Sequence, residues 1–104
     1  MDLKTLGENL GLDLDEFVEI VELFISTADS DIEKIREAIH TNDAFKAQEA
    51  AHSLKGSAGN LGFMEISNIA LTAEKQAREN NLEGFEEMIS QILLKLEDVK
   101  AQMK

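Results

Sequence analysis

The chain has 104 residues and contains no cysteine, proline or tryptophan. That length suits one domain, residues 1–104, whose core needs neither disulfides nor metals, and the missing cysteines exclude disulfides and thiolate zinc sites. A net charge of −11 argues against nucleic-acid partners, which need clustered Lys and Arg, and against binding to an anionic membrane surface. No apolar run approaches the ~20 residues of a membrane span. Met1-Asp2-Leu3 does not open a basic-then-apolar leader, so a cytoplasmic protein is expected.

Leu3, Leu6 and Leu10 make a short amphipathic helix that Gly11 can end in a left-handed conformation. Asp13 with Glu16 three residues on reads as a capping box, and Leu12 with Phe17 as a hydrophobic staple. The helix so started runs to about His40 on a core stripe of Leu14, Phe17, Val21, Phe24, Ala28, Ile32, Ile35 and Ile39. Ser26 to Asp31 is its weakest part and could bend or break it. Ile20 and Leu23 lie off the stripe; they either widen the core face, which is the first expectation, or form an exposed docking surface. His40 falls in the last turn, where an imidazole suits the helix dipole and needs no other role.

Thr41-Asn42-Asp43 is a turn, and Asn42 or Asp43 caps the next helix. Gly62 ends that helix, with Phe63 packing back on Ala58. A fourth helix spans about Glu65 to Asn80, with Ile66, Ile69, Ala70, Ala73 and Ala77 inward and Ser67, Leu71, Glu74 and Arg78 on the adjacent edge. A fifth runs from about Leu82 to Gln102 on Phe85, Met88 or Ile89, Ile92, Leu96, Val99 and Met103. Short linkers make consecutive helices antiparallel, so the fold is all-α: an up-and-down four-helix bundle with a short extra N-terminal helix.

The third helix carries the chemistry. Ala47, Ala50, Ala51, Leu54, Ala58 and Leu61 form its apolar stripe, while Gln48, His52, Lys55, Gly56 and Gly59 fall on the opposite side. A mid-helix glycine costs about 1 kcal/mol relative to alanine, and Gly56 and Gly59 stand one turn apart. A helical side chain leans toward the N-terminus, so residue 56 would lie over His52 if it had one. The result is an uncovered imidazole on a rigid helix with the Lys55 ammonium within reach. A free imidazole is mostly neutral and nucleophilic at neutral pH. A metal site would want carboxylates, cysteines or more histidines rather than a lysine. A nucleophile that must accept a dianionic phosphoryl group wants both the cation and the space.

His52-Ser53-Leu54-Lys55-Gly56-Ser57-Ala58-Gly59-Asn60-Leu61-Gly62 resembles the H-x-[LI]-K-G-[SAG]-[AS]-x-x-[LF]-G signature of histidine-containing phosphotransfer (HPt) domains, the phosphorelay intermediates of two-component signalling. The phosphotransfer domain of chemotaxis histidine kinases carries a close variant. The resemblance implies a phosphocarrier rather than an enzyme. His52 would accept a phosphoryl group from a receiver aspartate or a histidine kinase and pass it to a response-regulator receiver. The partner receiver would supply Mg²⁺ and the catalytic acids, and this chain, expected to be a monomer, would hold no cofactor of its own.

Within that reading Nε2 of His52 is the reacting atom. Lys55 neutralises phosphoryl oxygens, and Gly56 and Gly59 give access, close helix packing being the other account of Gly59. Glu74, 22 positions after His52 on the antiparallel neighbour, can be brought level with it and hold the Nδ1–H tautomer, as a glutamate does in the chemotaxis-kinase variant. Arg78 can support the phosphoryl group or pair with Glu74 at i+4, and Gln48 can line the site. Partners would dock over the His52 face with the N-terminal helix or Ile20 and Leu23. Three other readings are a chemotaxis-type kinase module, a non-phosphorylated helical adaptor that only binds receivers, and a metal-binding bundle in which only Glu74 could join His52.

Overall fold

A computed structural model describes residues 2–103, which fold into five helices with no strand among them. Helix α1 (Leu3–Asn9) is capped by Asp2, whose carboxylate accepts from the Lys4 N–H at 3.1 Å. It lies on α2 (Leu14–Thr41) so closely that a Cβ on Gly7 would stand 2.9 Å from Phe17 Cβ. The capping box of α2 is complete: Glu16 N–H donates to Asp13 Oδ1 at 2.8 Å, and Asp13 N–H donates to Glu16 Oε1 at 3.1 Å.

Helix α2 continues unbroken through Ser26–Asp31. Its buried face is Phe17, Val21, Phe24, Ala28, Ile32, Ile35 and Ala38. The expected stripe fails at its first residue, where Leu14 is exposed; at the other end Ala38 is fully buried and Ile39 packs partly buried against the core. Ile20 and Leu23 do not widen the core; Leu23 is 70% exposed.

Asn42 ends α2 in the left-handed region (φ 55°), and Asp43 caps α3 (Ala44–Leu61) by accepting from the Lys46 N–H at 3.1 Å. Gly62 ends α3 at φ 90°. The Phe63 N–H then donates to Ala58 O at 2.9 Å and the Gly62 N–H to Gly59 O at 3.1 Å, the paired bonds of a left-handed helix stop. This turn drives Phe63 into the core, fully buried, with its ring centroid 5.3 Å from Phe24 and 6.4 Å from Phe17. Phe63 also precedes α4 (Met64–Arg78), which has no side-chain cap. Helix α5 (Phe85–Gln102) starts three residues later than expected because Gly84 is left-handed (φ 79°), and Ile89 rather than Met88 enters the core.

Helices α2 to α5 form a closed antiparallel ring in which α3 packs on α2 and α4, and α5 packs on α4 and α2. The bundle is 42 Å long, about the length of α2 at 1.5 Å per residue. The α3/α4 seam is the most extensive of these interfaces. Small residues, Gly59 on α3 and Ser67 on α4 among them, let the two helices approach closely.

The Gly62 turn offers a direct check. Gly62→Ala puts a Cβ on a left-handed residue, 2.9 Å from the flexible end of Leu6. It should cost about 1–2 kcal/mol, read as a lower denaturant midpoint at unchanged slope. An unchanged midpoint would contradict the turn as described.

Candidate functional site

The site forms where α3 and α4 run side by side. His52 stands mid-way along α3 with its side chain 66% exposed. The helix's alanine face holds the backbone against its neighbours and so fixes where the imidazole projects. A Cβ added at Gly56 would meet nothing within 4 Å, so no contact inside the described chain requires glycine there, and the space beside His52 stays open.

Glu74 lies across the seam on α4, and only 3% of it is exposed. Its carboxylate is shared three ways. His52 Nδ1 lies 2.7 Å from Oε2, Lys55 Nζ donates to Oε1 at 2.8 Å, and Arg78 donates to Oε2 at 3.3 Å. Burial by itself pushes the Glu74 carboxyl upward, but hydrogen bonds from Lys55 and His52 and their charges outweigh it, so the group sits below its ordinary value. An ionised carboxylate only accepts, so the ring nitrogen facing it must carry the hydrogen. This assigns the Nδ1–H tautomer to neutral His52 and leaves the Nε2 lone pair without a partner among the described residues.

The structure therefore brings His52, Lys55, Glu74 and Arg78 into one cluster, and Gln48 lines the hollow beside them together with Glu49. The Lys55 ammonium, expected within reach of the imidazole, is turned to Glu74. A Cβ on Gly59 would meet Ser67 Oγ at 3.2 Å, so this glycine serves the approach of α4 rather than opening the surface to a partner. His40 is exposed at the end of α2 and takes no part. Among the described residues no group of three or more His, Cys, Asp or Glu side chains is placed to hold a metal ion.

Two contacts escaped sequence reasoning. The Ser53 hydroxyl, next to His52, donates to Asp31 Oδ2 on α2 at 2.8 Å. Asp31 is 3% exposed, and burial raises its carboxyl above the usual range despite the Ser53 bond. Asp31 stands three residues after Ala28 and four before Ile35, so a carboxylate at core spacing was the available signal. On the other flank the Ser67 hydroxyl donates to the Lys55 carbonyl at 3.0 Å. The turn that carries His52 and Lys55 is thus tied to α2 on one side and to α4 on the other.

The Hpt domain family profile matches residues 19–102. The chain is 28% identical over 105 residues to the phosphorelay intermediate protein YPD1 of Candida albicans, covering 98% of this chain and 52% of that protein. It thus spans about half the length of that curated relative. The crystal structure of histidine-containing phosphotransfer protein B (HptB) from Pseudomonas aeruginosa PAO1 superposes with a TM-score of 0.82 at 23% identity, covering 97% of this chain and 85% of that one. That likeness establishes the bundle as a shared fold. With the family profile matched over most of its length, including the whole of α3, this chain belongs to the Hpt domain family.

Proposed function

We propose that the protein is a phosphorelay intermediate that carries a phosphoryl group on Nε2 of His52. One observation carries this reading: the 2.7 Å contact between His52 Nδ1 and an almost fully buried carboxylate, which sets the Nδ1–H tautomer of the neutral ring and leaves Nε2 as the outward nitrogen of an exposed side chain. The Nε2 lone pair attacks the phosphorus of an aspartyl phosphate on a receiver domain, or of the phosphodonor bound to a histidine kinase. The N–P bond forms as the P–O bond to the donor breaks, and the donor oxygen leaves with the electron pair. The ring becomes cationic while keeping its Nδ1–H, and Glu74 balances that charge without taking the proton. Lys55 and Arg78, both on Glu74 at rest, are the cations near enough to swing toward the phosphoryl oxygens. Onward transfer to a response-regulator aspartate reverses these steps.

Phosphoryl transfer rests on positioning and charge neutralisation rather than covalent help from the protein. The chain supplies the positioned nucleophile, and the receiver brings Mg²⁺ and the acidic groups that bind it. The protein acts as a monomer, since one chain carries the whole cluster. The receiver docks over the His52 face, against the groove where Ile20 and Leu23 on α2 meet Leu61 on α3. Such a contact must release quickly, so it is small.

The decisive comparison is between the wild type and His52→Gln, each incubated with a phosphorylated receiver or an active hybrid kinase. Mass spectrometry should find an acid-labile phosphoryl group on the wild type alone. Equal labelling of the two, or none on the wild type from several donors, would end the carrier reading. Glu74→Gln keeps the shape but removes the charge that holds the tautomer and balances the phosphorylated ring, and should slow acceptance roughly tenfold or more.

The same substitution has a pH signature. The folded Glu74 carboxyl is depressed, so its contribution to stability is present above the unfolded value of 4.5 and is lost as pH falls through the folded value. Acid unfolding of Glu74→Gln below pH 4.5 should therefore be less steep than that of the wild type. Parallel acid limbs would show that Glu74 is not held as described.

A further inference from the structure

Gly59 and Ser67 lie two helical turns from the reactive pair. Gly59 is seven residues after His52 on α3, and Ser67 is seven residues before Glu74 on α4. On antiparallel helices these steps match, so the two pairs face each other at two levels about 10 Å apart along the seam. At the upper level the backbone of α3 meets the Ser67 side chain of α4. A Cβ on Gly59 would stand 3.2 Å from Ser67 Oγ, and that hydroxyl donates to the Lys55 carbonyl at 3.0 Å. Ser67 is 7% exposed, so its hydroxyl has little freedom to turn away without losing this partner. At the lower level Glu74 reaches both His52 and Lys55. Lys55 joins the levels: α4 holds its carbonyl through Ser67 and its ammonium through Glu74.

We infer that Gly59 and Ser67 are positioning residues for phosphoryl transfer: the seat of the Ser67 hydroxyl against the bare Gly59 backbone sets the spacing and register of α3 and α4 that bring Glu74 onto Nδ1 of His52. The role attaches to the carrier reading of His52, but its geometry can be read without any phosphoryl group. Gly56 offers a contrast on the same helix. An added Cβ there meets nothing within 4 Å, whereas one at Gly59 must displace the hydroxyl or part the helices. A side chain at 59 never touches the imidazole, so its effect must pass through Glu74.

The test uses the full chain as wild type, Gly59→Leu, and the double variant Gly59→Ala with Ser67→Ala, in which removal of Oγ leaves the new Cβ only the Ser67 Cβ position, 3.9 Å away. Long-range ¹H–¹⁵N NMR of the His52 ring at mildly alkaline pH reads the tautomer. Phosphoramidate, a small donor that needs no docking surface, reads the rate of N-phosphorylation. Gly59→Leu should lose the Nδ1–H bias and accept phosphoryl groups about tenfold more slowly, while remaining helical by circular dichroism. The double variant relieves the clash but gives up the Ser67 bond to the Lys55 carbonyl, so it should recover only part of the loss, lying between Gly59→Leu and the wild type on both readouts, which a plain loss of stability does not produce. Should Gly59→Leu fail to fold, Gly59→Ala alone takes its place and should shift in the same direction, and the double variant should again recover part of both readouts. A wild-type tautomer in the single variants, or a double variant as impaired as the single, would overturn the inference. A tautomer that responds as expected in a wild-type background that takes no phosphoryl group would instead remove the carrier reading and leave the positioning role intact.

Discussion

The carboxylate of Glu74 is the constraint on which the rest of the site depends. A buried charge is tolerated only when it is paired and hydrogen-bonded. Glu74 meets that condition by drawing three donors from two helices onto two oxygens. Each consequence for chemistry follows from satisfying it. The imidazole must donate through Nδ1, so the other nitrogen is left basic. Lys55 must lie beside the ring, because both compete for one group. The α3/α4 seam must be tight, because a carboxylate on one helix can serve two side chains of the other only over a short span. Removing one donor would leave the buried charge less well satisfied, so orientation of the imidazole and stability of the helix pair are coupled.

That coupling explains the composition of α3. Its inward face is Ala44, Ala47, Ala50, Ala51, Leu54 and Ala58, with Leu54 the only large side chain. Alanine contributes less burial energy than leucine, about 0.8 kcal/mol less for each missing methylene. The bundle makes up the difference elsewhere. Phe17, Phe24, Phe63 and Phe85 and the isoleucines of α2, α4 and α5 fill the core. Large residues thus stabilise the bundle from the elements other than α3, while small ones let the helix that carries His52 sit close to its partners. The Gly62 stop serves both ends, since it terminates α3 and sends Phe63 between Phe17 and Phe24.

Much of this was legible in the sequence because it rests on local rules. Helical periodicity gave five helices, Asp13 and Glu16 gave a capping box, and Gly62 gave a left-handed stop, each depending on residues close together in the chain. The placement of Glu74 beside His52 was legible for a simpler reason: two antiparallel helices joined by a tight turn have a register that counting can follow. What stayed hidden depends on the distance between helices, which no periodicity encodes. Periodicity leaves Gly59 open between access for a partner and close helix packing, and only the position of Ser67 decides for packing. Asp31 read as the weak stretch of a helix until Ser53 was found to satisfy it. Ile20 and Leu23 were ambiguous because the edge of an apolar stripe is core or surface according to how far the next helix reaches.

The charge balance of the cluster bears on what such a carrier must avoid. Lys55 and Arg78 against Glu74 leave one unit of positive charge around a neutral imidazole, in a chain whose net charge is −11. A phosphoryl group brings two negative charges. A site with several free cations would hold it tightly, and tight binding of the resting phosphorylated state deepens the well from which the next transfer must start. Here each cation is already engaged by Glu74, so neutralising the phosphoryl oxygens means giving up an existing pair. The gain on phosphorylation is the difference between two ion pairs rather than the whole of one. A relay intermediate needs that arrangement: enough charge to accept the group, and too little to keep it. Under the proposed function, the buried carboxylate that aims the imidazole would also keep the nearby cations from turning a carrier into a sink.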